Sequence, residues 1–180
     1  MSLHPLKTAT KVAGVLGSLG VFALHAAALP PFFPERRRRQ RALAAVVNLY
    51  ARGALRMLGI RVSKEGSRAP GGNAMLVSNH LSYVDVLVIA AAVPSCFVTS
   101  LETKAMPGLG QLCRLAGCIF VDRRRLRTLQ EEIAEVADAL SAGLDVAVFP
   151  EATSTDGSGT IERAEFVLFC GHAASCHRIS

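Results

Sequence analysis

His80 and Asp85 are the residues best placed to do chemistry. They stand five positions apart in Asn79-His80-Leu81-Ser82-Tyr83-Val84-Asp85. The preceding run, Ala74-Met75-Leu76-Val77, reads as a short buried strand, and the following run, Val86 to Ala92, as a buried helix. A strand that delivers an imidazole into a tight loop, with a carboxylate at the next helix start, provides the minimum needed to take a proton from a hydroxyl near neutral pH. The same residues also fit a helix start capped by Ser82, with His80 an ordinary loop residue. Two further strand ends are polar. Gly117-Cys118-Ile119-Phe120-Val121-Asp122-Arg123, followed by Arg124 and Arg125, puts a cationic cluster where it can clamp a phosphate, or where Asp122 merely caps a solvated helix. Phe149-Pro150-Glu151-Ala152-Thr153-Ser154 ends a strand in a carboxylate and two hydroxyls, a set able to orient a polar substrate or simply to make a turn.

These three ends need a scaffold, and the pattern from Ile60 onward is α/β. Candidate strands are Ile60–Lys64, Ala74–Ser78, Cys96–Ser100, Cys118–Val121 and Asp145–Phe149. Candidate helices are Val84–Val93, Leu109–Leu115 and Leu126–Ala142, the last with Leu126, Leu129, Ile133, Val136 and Leu140 on one face and Gly143 as its stop. Alternating strands and helices predict a mostly parallel sheet flanked by helices, with the site on loops at the strand C-termini. Other chemistries find no support. There is no nucleophile elbow and no phosphate-binding P-loop, and Gly108-Leu109-Gly110-Gln111-Leu112-Cys113 has Cys where a dinucleotide fingerprint needs its third Gly.

Hydrophobic residues make up 51% of the 180-residue chain and charged residues only 19%, an apolar balance that fits membrane association. Residues 1–61 carry ten Lys/Arg against Glu35 alone, while residues 62–180 are net −3. The basic excess therefore sits beside the N-terminal apolar segments, which points to an anionic membrane surface rather than nucleic acid. Absence of Trp and the presence of only two Tyr argue the same way. Val12 to Leu29 is an apolar segment of 18 residues that would span about 27 Å as a helix, close to the bilayer core. Pro30, Pro31 and Pro34 end it, and Arg36 to Arg39 follow. It reads as a single span with its basic flank in the cytoplasm, or as a re-entrant or in-plane anchor. Arg41–Leu58 reads as a second helix whose narrow stripe of Arg41, Asn48, Arg52 and Arg56 suits a helix lying in the interface; a core helix with one wet face is the alternative. The five cysteines, Cys96, Cys113, Cys118, Cys170 and Cys176, form no CxxC and imply reduced thiols. Cys170, His172, Cys176 and His177 match no standard zinc spacing, so no metal site is expected.

Taken together and in order, NHLSYVD, GCIFVDR and FPEATS resemble the HxxxxD, arginine and FPEGT blocks of the lysophosphatidic acid acyltransferase family of glycerolipid acyltransferases, over roughly residues 45–157. The resemblance implies that His80 is the general base on the acceptor hydroxyl and that Asp85 orients it. It further implies that Arg123 binds the acceptor phosphate, that Glu151 and Thr153 shape the acceptor site beside Asn79, and that Lys104 is the lysine the family often carries between its first two blocks. The acyl group would pass directly from a thioester to the alcohol, which fits the absence of a placed Ser or Cys nucleophile. No bound cofactor is implied: acyl-CoA or acyl carrier protein is the donor substrate. The acceptor is a lysophospholipid, 1-acylglycerol-3-phosphate or another lysolipid such as lyso-ornithine lipid. The enzyme would work at the membrane with its catalytic domain facing the cytoplasm, on the inner membrane in a bacterium.

The expected organisation is an anchor over 1–40, an acyltransferase domain over 41–157 with the interfacial helix at its start, and an atypical tail over 158–180. Ala152 stands where the family has Gly, and the tail lacks the family's fourth block, which predicts an open sheet edge and a chain incomplete at its C-terminus. An incomplete member that only binds membrane or acyl carrier, and a hydrolase using His80 and Asp85 with water, are the competing readings.

Overall fold

The computed structural model describes residues 4–63, 73–78, 82–122, 129–149, 165–170 and 173–178. Two long helices, α1 (His4–Ala28) and α2 (Arg36–Leu58), precede an alternating series: β1 (Ala74–Ser78), α3 (Tyr83–Ala92), β2 (Ser95–Ser100), α4 (Leu101–Ala105), α5 (Leu109–Leu115), β3 (Ile119–Val121), α6 (Leu129–Ser141) and β4 (Asp145–Val148). Two strands follow, β5 (Glu165–Cys170) and β6 (Ala173–Arg178). The sheet order is β3-β2-β4-β1-β5-β6. The first four strands are parallel, with Val77 opposite Val148, Phe97 opposite Ala147 and Thr99 opposite Phe120. The fold is therefore the expected α/β sheet flanked by helices.

Both faces of the parallel part are covered, which is why its strands are continuously apolar. Alternate residues of β2 part to opposite sides. Phe97 joins Ala147, Leu76 and the α3 residues Ile89–Ala92 in one cluster. Cys96 and Val98 join Val146, Ile119 and the α6 residue Ala139 in the other. Helix α6 starts within the described residues at Leu129 and stops at Gly143 (φ 80°), where Gly143 N–H donates to Leu140 O and Leu144 N–H to Ala139 O.

Helix α2 differs from expectation in two ways. It starts at Arg36 and runs unbroken past residue 40, so the expected boundary between anchor and domain falls inside a helix. Part of its polar stripe, Arg41, Asn48 and Arg52, also bonds to the domain. The Asn48 amide, itself buried, donates to Ala90 O (2.5 Å) and Ala91 O (3.0 Å), and Arg52 Nε donates to Ala91 O (3.1 Å). Arg41 Nε donates to Ala142 O (2.7 Å), Arg36 pairs with Glu135, and Arg37 with Asp138 at 2.6 Å. The last carbonyls of a helix have no intrahelical partner, and α2 supplies partners at the C-termini of both α3 and α6. Those C-termini lie at the amino ends of the strands that follow them. Helix α2 thus runs under the amino edge of the sheet.

Helix α1 lies against α2. The Phe22 and His25 rings meet Tyr50 edge-on at 5.7 and 6.0 Å, and Lys11 Nζ donates to Leu58 O at 3.2 Å. Its outer side exposes Val12, Leu16, Val21 and Leu24. It is long and apolar enough to cross a membrane by length and composition, and 11% of that window is buried.

Two further expectations are corrected. Ile60–Ser63 form no strand, and Lys64 lies outside the described residues. Ile60 N–H is instead committed to Leu55 O (2.9 Å) in the cap of α2. The tail does not leave β1 open. Strand β5 pairs antiparallel with it, Leu76 opposite Leu168, and β6 pairs with β5. The apolar run Phe166-Val167-Leu168-Phe169 satisfies β1's outward-facing backbone groups, so the edge moves to β6.

Asn48→Ala leaves Ala90 O without its side-chain donor and Ala91 O with Arg52 alone, and should lower unfolding free energy by about 1–3 kcal/mol in urea titration. Arg36→Ala and Arg37→Ala, each breaking an exposed pair, should cost about 0–1 kcal/mol. Equal losses from all three would mean that the Asn48 contacts contribute nothing special. In native-state hydrogen exchange, the Val167 and Leu168 amides should exchange with the slow core, whereas outward-facing β6 amides should exchange early. Fast exchange across all of β5 would show that the edge of β1 is not covered.

Candidate active site

A parallel sheet sends every strand's carboxyl end to one edge, and loops at that edge carry the site in α/β proteins. Here that edge receives Ser78 of β1, Ser100 of β2, Val121 of β3 and Val148 of β4. It is the edge opposite α2. All three blocks singled out in the sequence leave the sheet there. Strands β1 and β4 are direct neighbours, so the first and third blocks depart about 5 Å apart at their roots. Strand β3 is three places from β1, which puts the arginine block roughly 14 Å along the edge.

Of the expected site residues, Asp85 and Lys104 are described; Asn79, His80, Arg123, Glu151 and Thr153 lie outside the described residues, as does Ala152. Asp85 is the third residue of α3 and forms a capping box with Ser82. Ser82 N–H donates to Asp85 Oδ2 at 2.7 Å, and Val84 N–H donates to Ser82 Oγ at 3.2 Å. The capping role weighed from the sequence is therefore present. A carboxylate offers about four acceptor sites, and the cap engages it through the Ser82 backbone and hydroxyl. It also fixes where the carboxylate stands. Three residues, Asn79 to Leu81, connect buried Ser78 to Ser82, whose backbone the carboxylate holds.

The root of the third block is equally fixed. Phe149 is buried, and its ring stacks on Phe97 at 6.4 Å and 19°. Glu151 is two residues beyond it. The root of the arginine block is held by a residue that the sequence reading missed. Glu132, in the first turn of α6, accepts Asp122 N–H at 2.7 Å and pins the backbone one residue before Arg123. The adjacent Glu131-Glu132 pair at a helix start was the available signal.

Lys104 is exposed on α4, with its Nζ 5.2 Å from the centroid of the Phe120 ring. That contact, worth about 0.5–1 kcal/mol at an exposed site, places a cation near the carboxyl ends of β2 and β3. The glycines that failed as a dinucleotide fingerprint have another role. A Cβ on Gly110 would lie 2.3 Å from Lys104 O, so glycine lets α5 cross against α4.

The model of the Acyltransferase family matches residues 59–171, which include all three blocks. A 1-acyl-sn-glycerol-3-phosphate acyltransferase of Neisseria meningitidis serogroup B is 33% identical over 130 residues, 71% of this chain and 48% of the relative. A lyso-ornithine lipid O-acyltransferase of Brucella abortus is 30% identical over 127 residues, again 71% and 48%. Another, of Rhizobium meliloti, is 32% identical over 111 residues, 62% of this chain and 38% of the relative. The chain spans about half the length of the curated relatives it matches. No solved structure matches it significantly. The ordered blocks, the parallel sheet that gathers them at one edge and the family match over the same residues lead to one assignment: the chain belongs to the lysophosphatidic acid acyltransferase family of glycerolipid acyltransferases.

Proposed function

We propose that the carboxyl edge of the sheet transfers a fatty acyl group from a thioester, on coenzyme A or acyl carrier protein, to the free hydroxyl of a lysophospholipid. The observation that carries this reading is the capped Asp85 at the root of α3, beside the β1–β4 pair from which the His80 and Glu151 blocks depart. His80 takes the proton of the acceptor hydroxyl as its oxygen attacks the thioester carbonyl. The C–S bond then breaks and the thiol leaves. Asp85 holds the imidazole in the tautomer that presents a free nitrogen to the hydroxyl, and offsets the charge the ring acquires. The thioester is already activated, so the protein's contribution is a positioned base and correct alignment. Asn79, Glu151 and Thr153 shape the acceptor site, with Lys104 adding positive charge at the β2–β3 end. Arg123 takes the acceptor's phosphate.

Two acceptor classes are supported by the relatives. The neisserial protein is named for 1-acylglycerol-3-phosphate and the Brucella protein for lyso-ornithine lipid, at nearly equal identity over similar lengths. The basic N-terminal third and the guanidinium-bearing third strand end favour the phosphorylated acceptor. Helix α1 is the membrane anchor, holding the domain on the cytoplasmic face where both substrates occur.

His80→Ala should lower acyl transfer by about 10²–10⁴ with no change in unfolding free energy. Asp85→Asn keeps an oxygen for the Ser82 N–H but removes the charge. It should leave stability within about 0.5 kcal/mol while transfer falls. If Asp85→Asn transfers at the parental rate, Asp85 is a helix cap and nothing more. Arg123→Ala should raise KM for 1-acylglycerol-3-phosphate by about 10-fold or more, as loss of a charge-assisted contact demands. A lyso-ornithine acceptor should be affected less. Equal losses on both acceptors would assign Arg123 to structure rather than phosphate.

A further inference from the structure

Three helices of this chain end in the same motif. At Gly59, Gly117 and Gly143 the backbone turns left-handed (φ 81°, 74° and 80°) and the next residue's N–H reaches back to a carbonyl five positions earlier. The paired positions are Leu55 with Ile60, Cys113 with Cys118, and Ala139 with Leu144. This motif brings the side chains of its first and last positions into contact, normally as an apolar pair. Two of the three ends follow that rule. The third, where Cys118 N–H donates to Cys113 O at 3.0 Å, fills both positions with thiols. Glycine is required at that turn, since a Cβ on Gly117 would also meet Leu43 Cδ1 at 3.1 Å. The fold therefore holds the two cysteines face to face whether or not they are bonded. Both are free thiols in the structure, and both are partly exposed.

The two sulfurs are not equivalent. The Cys118 thiol hydrogen-bonds to Cys113 and brings its pKa down to about 7, while that interaction and burial push Cys118 well up. A third thiol, Cys96, lies against the same turn and donates to Gly117 O at 3.2 Å. It is buried, and burial raises it to about 11. One corner of the molecule thus contains an attacking thiol, a resolving thiol and an unreactive one.

We propose that Cys113 and Cys118 form a redox-reactive dithiol that closes to an intramolecular disulfide on exposure to a small-molecule disulfide. The Cys113 thiolate attacks one sulfur of glutathione disulfide, the S–S bond breaks and one glutathione thiolate leaves. Cys118 gives its proton to solvent and attacks the Cys113 sulfur, and the second glutathione thiolate leaves. The protein loses two electrons and two protons, and glutathione disulfide is reduced to two thiols. The 6→1 backbone bond already holds the two Cα atoms close together, as a disulfide requires (about 4.4–6.8 Å). The product would fasten the end of α5 to the start of β3, the strand that leads to Asp122 and the arginine block.

The test uses the full chain, incubated with glutathione disulfide, quenched with an alkylating agent and read by peptide mass spectrometry, so it does not depend on turnover. The expected product links Cys113 to Cys118 with loss of two hydrogens. Cys118→Ser should stop at a glutathione adduct on Cys113, and Cys113→Ser should leave Cys118 and Cys96 unmodified over the same time. On the unsubstituted native chain, Cys113 should alkylate about a hundredfold faster than Cys96 at pH 7, with a pH midpoint near 7. First adduct formation at Cys118, a disulfide from Cys113 to Cys96, Cys170 or Cys176, or a Cys113 midpoint at the ordinary thiol value of about 8.5 would each overturn the proposal.

Discussion

Buried carbonyls at helix C-termini must find donors, and in this protein one helix supplies them for two others. Asn48 and Arg52 reach the end of α3, and Arg41 reaches the end of α6. Because α3 covers one face of the sheet and α6 the other, the same helix fixes both layers from below. The ion pairs farther along α2, exposed to water, add direction more than stability. Remove the Asn48 contacts and Ala90 O loses its side-chain donor in an apolar setting, where an unmade hydrogen bond costs more than a made one gains, while Ala91 O is left to Arg52.

The division of labour between the sheet's edges follows from this. The amino edge is closed by α2 and by apolar residues that stack on it, including Ala44, Ala51 and Leu55. The carboxyl edge is where the three polar blocks leave the sheet. Each departs from something rigid: the Ser82–Asp85 box, the stacked Phe97–Phe149 rings, and the Glu132 contact to Asp122. Proton transfer needs its base placed to a fraction of an ångström. Rooting each loop within a residue or two of its functional group is how a fold with strands of three to six residues can approach that precision.

Much of this could be read from residue order alone. The helix expected near Leu109–Leu115 is found there, and the four parallel strands announce themselves as apolar runs followed by polar ends. The misreadings have physical causes. The stripe on α2 reports polarity, but a sequence does not say whether water, a headgroup or another helix's carbonyl will satisfy it. Glu165 to Cys170 could be weighed as a last strand, but its pairing with β1 could not be read, because the partner lies some ninety positions earlier and pairing of that range leaves no local mark. Ile60 looked like a strand start because helix caps and strands both favour an apolar residue after a polar break. In the site, the carboxylate and its cap were legible as Ser82 and Asp85. Glu132 showed only as one of two acids at a helix start, and its partner, ten residues earlier, left no mark in the pattern.

The hairpin of α1 and α2 holds one further consequence. Its two helices are unequally bound to the protein. Helix α2 is held by buried polar bonds that lipid tails cannot replace. Helix α1 packs on the rest through apolar residues such as Phe22 and Ala26, and Lys11 donates to Leu58 O from its exposed side. Hydrocarbon solvates such an apolar contact nearly as well as a protein surface does. As the proposed anchor, α1 would trade its seat on α2 for the bilayer at little cost, while α2 stays with the sheet. A pull along it would then end at the Pro30–Pro34 turn rather than in the sheet.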